Sequence, residues 1–169
     1  MVQGELALEN QLIKQLNTIG YSSVDIKDEV SLLANLKHQI EKRKNTSLSE
    51  TEFNKILNIL KKGTVFERAK TLRGEQRIER DNGDSFYFYF LDKDNWSLNT
   101  FQVTNQVTIE GTYRNRYDVT LLVNGLPLVQ IELKRRGKEM AEAFHQIKRY
   151  KENSFAKLFL TIRGELKMV

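Results

Sequence analysis

The stretch Arg116-Tyr-Asp-Val-Thr-Leu-Leu-Val-Asn-Gly-Leu-Pro-Leu-Val-Gln-Ile-Glu-Leu-Lys-Arg135 decides the fold. Two aliphatic, β-branched segments, Arg116 to Val123 and Leu128 to Arg135, flank Asn124-Gly125, the dipeptide that hairpin turns prefer because both positions accept positive φ. Side chains alternate across a strand, so the loop length decides which face each residue occupies. A two-residue Asn-Gly loop sets Asp118 opposite Ile131 and sends Glu132 to the other face. A three-residue loop, Asn124-Gly125-Leu126 with the glycine left-handed, pairs Asp118 with Glu132, Thr120 with Gln130 and Arg116 with Lys134. That register collects Val119, Leu121, Val123, Val129, Ile131 and Leu133 on one face and leaves the other wholly polar. Burial of a continuous apolar face favours it, which predicts the three-residue loop and two facing carboxylates.

Directly opposed carboxylates stand about 5 Å apart at Cβ and repel unless a cation lies between them or one is protonated. A hard divalent ion relieves the repulsion. Mg²⁺, with Mn²⁺ as a substitute, suits a site of two acidic ligands, because it keeps several waters and leaves positions for phosphate oxygens. Lys134 follows Glu132 by two residues and projects on the same side, where an ammonium can orient or deprotonate an attacking water. The tripeptide alone carries little weight: Asp25-Ile26-Lys27 and Glu165-Leu166-Lys167 share the acid-x-Lys pattern without an aspartate on a neighbouring strand. Geometry alone leaves a structural or ligand-binding sheet open beside a nuclease.

Outward from the hairpin, the N-terminal part up to about residue 75 reads as mainly helical and residues 85 to 169 as sheet plus helices, within one domain spanning 1 to 169. Residues 5 to 19 place Leu8, Leu12, Leu16 and Ile19 at helical spacing, with Gly20 where a left-handed cap is expected. A second helix spans 29 to 44 through Leu32, Leu33, Leu36 and Ile40. Ser49 and Glu52 form a capping box that opens a third through Phe53, Ile56, Leu57 and Leu60, ended by Gly63. The core sheet is expected to begin with a strand over Phe86 to Leu91, then a turn at Asp92 to Asn95, with Trp96 in the core, and a strand over Thr100 to Ile109. A helix over 138 to 151 and a strand over 155 to 162 are expected to follow the hairpin.

The 169 residues hold 40% hydrophobic side chains, enough for one core, and no cysteine, which excludes thiolate metal sites and disulfides. Two histidines, His38 and His145, are too few for a zinc cage, and both read as ordinary surface or edge residues. No apolar run reaches the roughly 20 residues of a membrane helix and no signal segment opens the chain, so the expected location is the cytoplasm, away from membranes. The net charge is +5, and Lys134, Arg135, Arg136, Lys138, Lys148, Arg149 and Lys151 outweigh Glu139 and Glu142 after the hairpin. Such a run is a solvated face or a phosphate-binding surface.

The words Asn115-Arg-Tyr-Asp through Glu-Leu-Lys-Arg-Arg-Gly137, followed by Glu142-Ala-Phe-His-Gln-Ile-Lys-Arg-Tyr150, resemble the N-terminal nuclease domain of the R (HsdR) subunit of type I restriction endonucleases. The likeness extends more loosely to Leu8-Glu9-Asn-Gln-Leu-Ile-Lys-Gln-Leu16, Gly20-Tyr21 and Leu91-Asp92, and is least clear between about residues 29 and 75. It implies the PD-(D/E)XK nuclease fold, a restriction-endonuclease-like mixed β-sheet flanked by helices, with Mg²⁺-dependent cleavage of double-stranded DNA. It assigns Asp118 and Glu132 to the metal and Lys134 to the water. Gln146 and Tyr150 match the family's Gln-x-x-x-Tyr, and Glu9 matches its first-helix acid, with Glu5 the nearest rival. The proline of the family's name is absent before Asp118, where Tyr117 stands, as is common in this branch of the family. Read as a helix, Gln146 and Tyr150 border the apolar face of Met140, Phe144 and Ile147, from which side chains reach DNA or simply pack at an edge.

No Gly-x-x-x-x-Gly-Lys-Ser/Thr phosphate loop is present, so ATP use is expected only through a C-terminal motor domain of a longer chain. Sequence recognition is expected from methyltransferase and specificity subunits, and DNA contacts here mainly to phosphate. The alternatives are a catalytically silent DNA-holding or subunit-docking module of the same fold, and a stand-alone repair or resolvase-type nuclease.

Overall fold

The computed structural model describes residues 4–110 and 114–133. Four helices precede most of the strands: α1 (Glu5–Thr18), α2 (Glu29–Lys44), α3 (Glu50–Lys61) and α4 (Val65–Arg73). Helix α1 stops where Gly20 adopts φ 103°, with Tyr21 N–H donating to Leu16 O and Gly20 N–H to Asn17 O, the double closure a left-handed glycine permits. Asp28 caps α2 by accepting from Ser31 N–H at 2.7 Å. Ser49 and Glu52 form the expected capping box of α3, whose Phe53, Ile56, Leu57 and Leu60 are buried. Helix α4, opened by a second box of Thr64 and Glu67, was not foreseen beyond Gly63.

The strands are β1 (Ser22–Ser23), β2 (Glu75–Glu79), β3 (Ser85–Tyr89), β4 (Phe101–Glu110), β5 (Arg114–Val123) and β6 (Leu126–Ile131). Among the described residues they form a four-stranded mixed sheet, β1-β4-β5-β6, in which only β1 and β4 are parallel, and a separate two-stranded ribbon of β2 and β3. The core sheet therefore does not begin at Phe86, as the aromatic run suggested. That run pairs with Glu75–Glu79 instead, turning Phe86 and Phe88 into the core and Tyr87 and Tyr89 outward. Trp96 opens a single 3-10 turn and is 54% exposed, so it is not a core residue.

The hairpin turn corrects the sequence expectation while keeping its consequence. Asn124 (φ 52°) and Gly125 (φ 81°) form a two-residue turn, pairing Val123 with Leu126 and Leu122 with Pro127. A shift between Leu121 and Leu122 then realigns the ladder, so that Leu121 pairs with Val129, Thr120 with Gln130 and Val119 with Ile131. An extra residue in β6, not a longer loop, brings Asp118 and Glu132 next along in facing register. The turn is buried. Asn124 is 2% exposed and its side chain accepts from Thr100 N–H and donates to Phe90 O and Asn99 Oδ1.

Both sides of the sheet are covered, so the side expected to be wholly polar is not a solvent face. Leu16 of α1 packs with Val103, Val119, Ile131 and Leu133 on one side. Leu32, Leu36 and Ile40 of α2 join Phe53 and Ile56 of α3 against Leu122, Leu126 and Leu128 on the other. Thr120, meant for the polar face, is fully buried, and Val123 belongs to the α2 cluster. The expected helix over 138–151 and strand over 155–162 lie outside the described residues.

Candidate active site

Asp118 lies in β5 between the buried Tyr117 and Val119 and is itself half-buried. Its Oδ2 accepts a hydrogen bond from the backbone N–H of Leu133 at 2.8 Å, which anchors the carboxylate beside the residue that follows Glu132. Glu132, just past the end of β6, is also half-buried. The bond lets the chain beyond Ile131, the last paired residue, track β5 as far as Leu133.

The ladder between β4 and β5 has a local break at this point. Asn105 pairs with Val119 and Val107 with Tyr117, while Gln106 and Asp118 between them drop out of the pairing. Gln106 has φ 56°, a left-handed conformation uncommon for a residue with a long side chain. The strand turns over there: Val103 packs on the α1 side, whereas Val107, an even number of residues later, packs on the α2 side. Val119 and Tyr117 divide between the same two clusters.

Glu9 reaches this break from α1. It is 3% exposed, and the Gln106 Nε2 donates to both of its carboxylate oxygens at 2.7 Å, with Asn105 Nδ2 at 3.4 Å from Oε2. Lys27 Nζ donates to the Asn105 side-chain oxygen at 3.2 Å and to its backbone carbonyl at 3.1 Å. A lysine only donates, so it fixes the Asn105 amide with its nitrogen toward Glu9. The rival acid Glu5 is half-exposed on the first turn of α1. Thr120 and Gln130, two positions up the ladder from Asp118 and Glu132, bury the Thr120 Oγ1 and Gln130 Nε2 atoms with no hydrogen-bond partner among the described residues. No three histidine, aspartate or glutamate side chains among the described residues meet as a preformed metal cluster. Lys134, Gln146, Tyr150 and His145 lie outside the described residues, and His38 is exposed on α2.

Sequence reasoning overlooked Gln106 and Asn105. The signal was faint but present: Thr104-Asn105-Gln106 puts three polar residues in succession within a strand that otherwise alternates.

The fold is an α/β domain whose first helix packs on the mixed sheet beside the central hairpin. Its particular family is also clear: the chain belongs to the type I restriction enzyme R protein N-terminus family, whose model matches residues 3–165. It is 44% identical over 166 residues to the Type I restriction enzyme SauCOLORF180P endonuclease subunit of Staphylococcus aureus, covering 95% of this chain and 18% of that relative. It is 39% identical over 159 residues to the Type I restriction enzyme EcoprrI endonuclease subunit of Escherichia coli, covering 90% of this chain and 51% of the relative. A putative type I endonuclease subunit of Methanocaldococcus jannaschii is 30% identical over 93% of the chain and 14% of its own length. The chain thus spans less than a fifth of the length of the staphylococcal relative. No described helix is long and apolar enough to cross a membrane.

Proposed function

We propose that this domain is a divalent-metal-dependent endonuclease unit that hydrolyses phosphodiester bonds of double-stranded DNA within a type I restriction complex. The observation that carries the reading is the hairpin: Asp118 and Glu132 come next along in facing register, with the Asp118 carboxylate tied to the Leu133 amide. In a chain related to proteins named as type I endonuclease subunits, that pair is the natural cutting centre.

The donor set fits a hard cation. Asp118 and Glu132 offer only oxygen, cysteine is absent from the chain, and the Thr120 hydroxyl, without a hydrogen-bond partner among the described residues, adds polar capacity on the same strand. Asp118 and Glu132 would hold Mg²⁺ or Mn²⁺. A bound ion of this kind supplies Lewis-acid polarisation of a phosphate oxygen and a more acidic water. The Leu133 N–H takes one lone pair of Asp118 and leaves the remaining carboxylate oxygen for binding. Lys134, following directly, orients the attacking water and offsets charge developing on the phosphate. Gln146 and Tyr150 contact the DNA backbone. ATP-driven motion, sequence recognition and methylation belong to a motor domain and to specificity and methyltransferase subunits.

Calorimetric titration of Mn²⁺ into the chain tests the assignment. Asp118→Ala and Glu132→Ala should each abolish binding while leaving the fold intact by circular dichroism. Undiminished binding in both variants would leave a silent docking module as the correct reading.

A further inference from the structure

We propose that Asn82 is a site of spontaneous covalent modification: its side-chain amide is lost to attack by the Gly83 backbone nitrogen, leaving aspartate or isoaspartate in the turn between β2 and β3. The same dipeptide in the central hairpin, Asn124-Gly125, is protected by the fold. This chemistry is independent of the nuclease reading.

The chain holds two Asn-Gly dipeptides, and asparagine is most labile before glycine, where no side chain shields the attacking nitrogen. The reaction is a ring closure followed by hydrolysis. The Gly83 nitrogen gives its proton to a solvent base and bonds to the Asn82 Cγ, while the Cγ–Nδ2 bond breaks and Nδ2 leaves as ammonia with a proton from solvent. Water then opens the five-membered imide at either carbonyl, giving aspartate or isoaspartate. The net change consumes water and releases ammonia, with nothing oxidised or reduced.

The two dipeptides sit in opposite surroundings. Residues 81–85 are all exposed, and a Cβ placed on Gly83 would meet nothing within 4 Å, so base and water reach its amide. The Gly83 N–H donates to Arg80 O at 3.0 Å, a bond at an exposed loop tip that opens at little cost. The Asp84 N–H donates to the Asn82 Oδ1 at 3.1 Å, which polarises Cγ and supports the oxyanion that forms there. The departing Nδ2 donates to the Asp84 Oδ2 at 2.8 Å, a contact open to water. Asn124, by contrast, is 2% exposed; its Nδ2 donates to Phe90 O and Asn99 Oδ1, and its Oδ1 accepts from Thr100 N–H. A Cβ on Gly125 would lie 2.7 Å from the Leu36 Cα, so neither base nor water has room beside that nitrogen. Loss of the Asn124 amide would also break two buried hydrogen bonds.

The product alters the turn it forms in. A carboxylate at position 82 replaces the hydrogen bond to Asp84 with like charges between Asp81 and Asp84, and isoaspartate adds a main-chain atom inside the loop closed by Arg80 and Asp84. Asp81 accepts from the Ser49 hydroxyl at the cap of α3, so loosening the turn reaches that helix.

The test is storage of the intact chain in mildly alkaline buffer, folded and in denaturant, followed by peptide mass spectrometry and isoaspartate-specific methylation. In the folded chain, conversion is expected about tenfold or more faster at Asn82 than at Asn124, and at similar rates once the chain is unfolded. Asn82→Ser should abolish the folded-state signal. Conversion of Asn82 only in denaturant would overturn the proposal, as would equal conversion of both asparagines in the folded chain. The stored chain and Asn82→Asp should both unfold at lower temperature than the fresh parent, and unchanged unfolding in both would overturn the effect on the turn.

Discussion

Glu52 illustrates how much one residue can do away from the site. It closes the capping box of α3 by accepting from Ser49 N–H at 3.1 Å, accepts from Asp81 N–H, and receives the Arg80 guanidinium at 3.0 Å, all at 3% exposure. The hydrogen bond from Arg80, with help from the Asp81 and Ser49 amides, holds its pKa down from 4.5 to about 2 against the opposing effect of burial. Because the folded-state value is depressed, the stabilisation is fully present above pH 4.5 and is lost as pH falls toward 2. Thermal unfolding followed from pH 6 to pH 2.5 should therefore show a drop that is smaller in Glu52→Gln. Arg80→Ala should lower the denaturant midpoint, because it removes the charge-assisted hydrogen bond to the buried Glu52 carboxylate. The Ser-x-x-Glu spacing announced the cap; that Arg80, 28 positions away, would complete it was invisible, because nothing local couples α3 to the loop after β2.

At the scale of elements, the β5-β6 hairpin shows a right consequence reached by a different route. Apolar alternation called for the register that pairs Val119 with Ile131 and Thr120 with Gln130, and the ladder has it, since that requirement is set by burial over the whole strand. It misjudged the turn, because a bulge at the third pair and a longer loop have the same effect on register further along. Gly125 reveals why the compact turn wins: a Cβ there would lie 2.7 Å from the Leu36 Cα and 3.1 Å from its backbone nitrogen, leaving no room for more chain against α2. Gly125→Ala combines that clash with a φ of 81° and should destabilise by roughly 3 kcal/mol or more, read as a fall in the denaturant midpoint at unchanged slope. Metal affinity should fall with it only if the Asp118 register moves.

At the scale of the molecule, one sheet separates two apolar clusters, and the candidate site sits where the sheet turns over between them. The net charge of +5 and the basic run after Glu132 suit a phosphate backbone. Fluorescence anisotropy with duplexes of unrelated sequence should give equal affinities that weaken steeply with added salt. A preference approaching the roughly thousandfold of sequence-specific readers would overturn that expectation.

What the sequence determined by itself was local or periodic: three helices, the caps of the first and third, and the hairpin with its register beyond the turn, all governed by spacing along a short stretch of chain. It could not tell Glu9 from an exposed helix acid, because its environment comes from Asn105 and Gln106, almost a hundred residues distant. Nor could it assign Phe86 to a separate ribbon or expose Trp96, since strand propensity does not name a partner. Only the packing of α1 onto β4 decided that the carboxylate is buried and amide-held at the break in the β4-β5 ladder. Tertiary structure alone joins distant residues, and desolvation there changes what the same side chain can do.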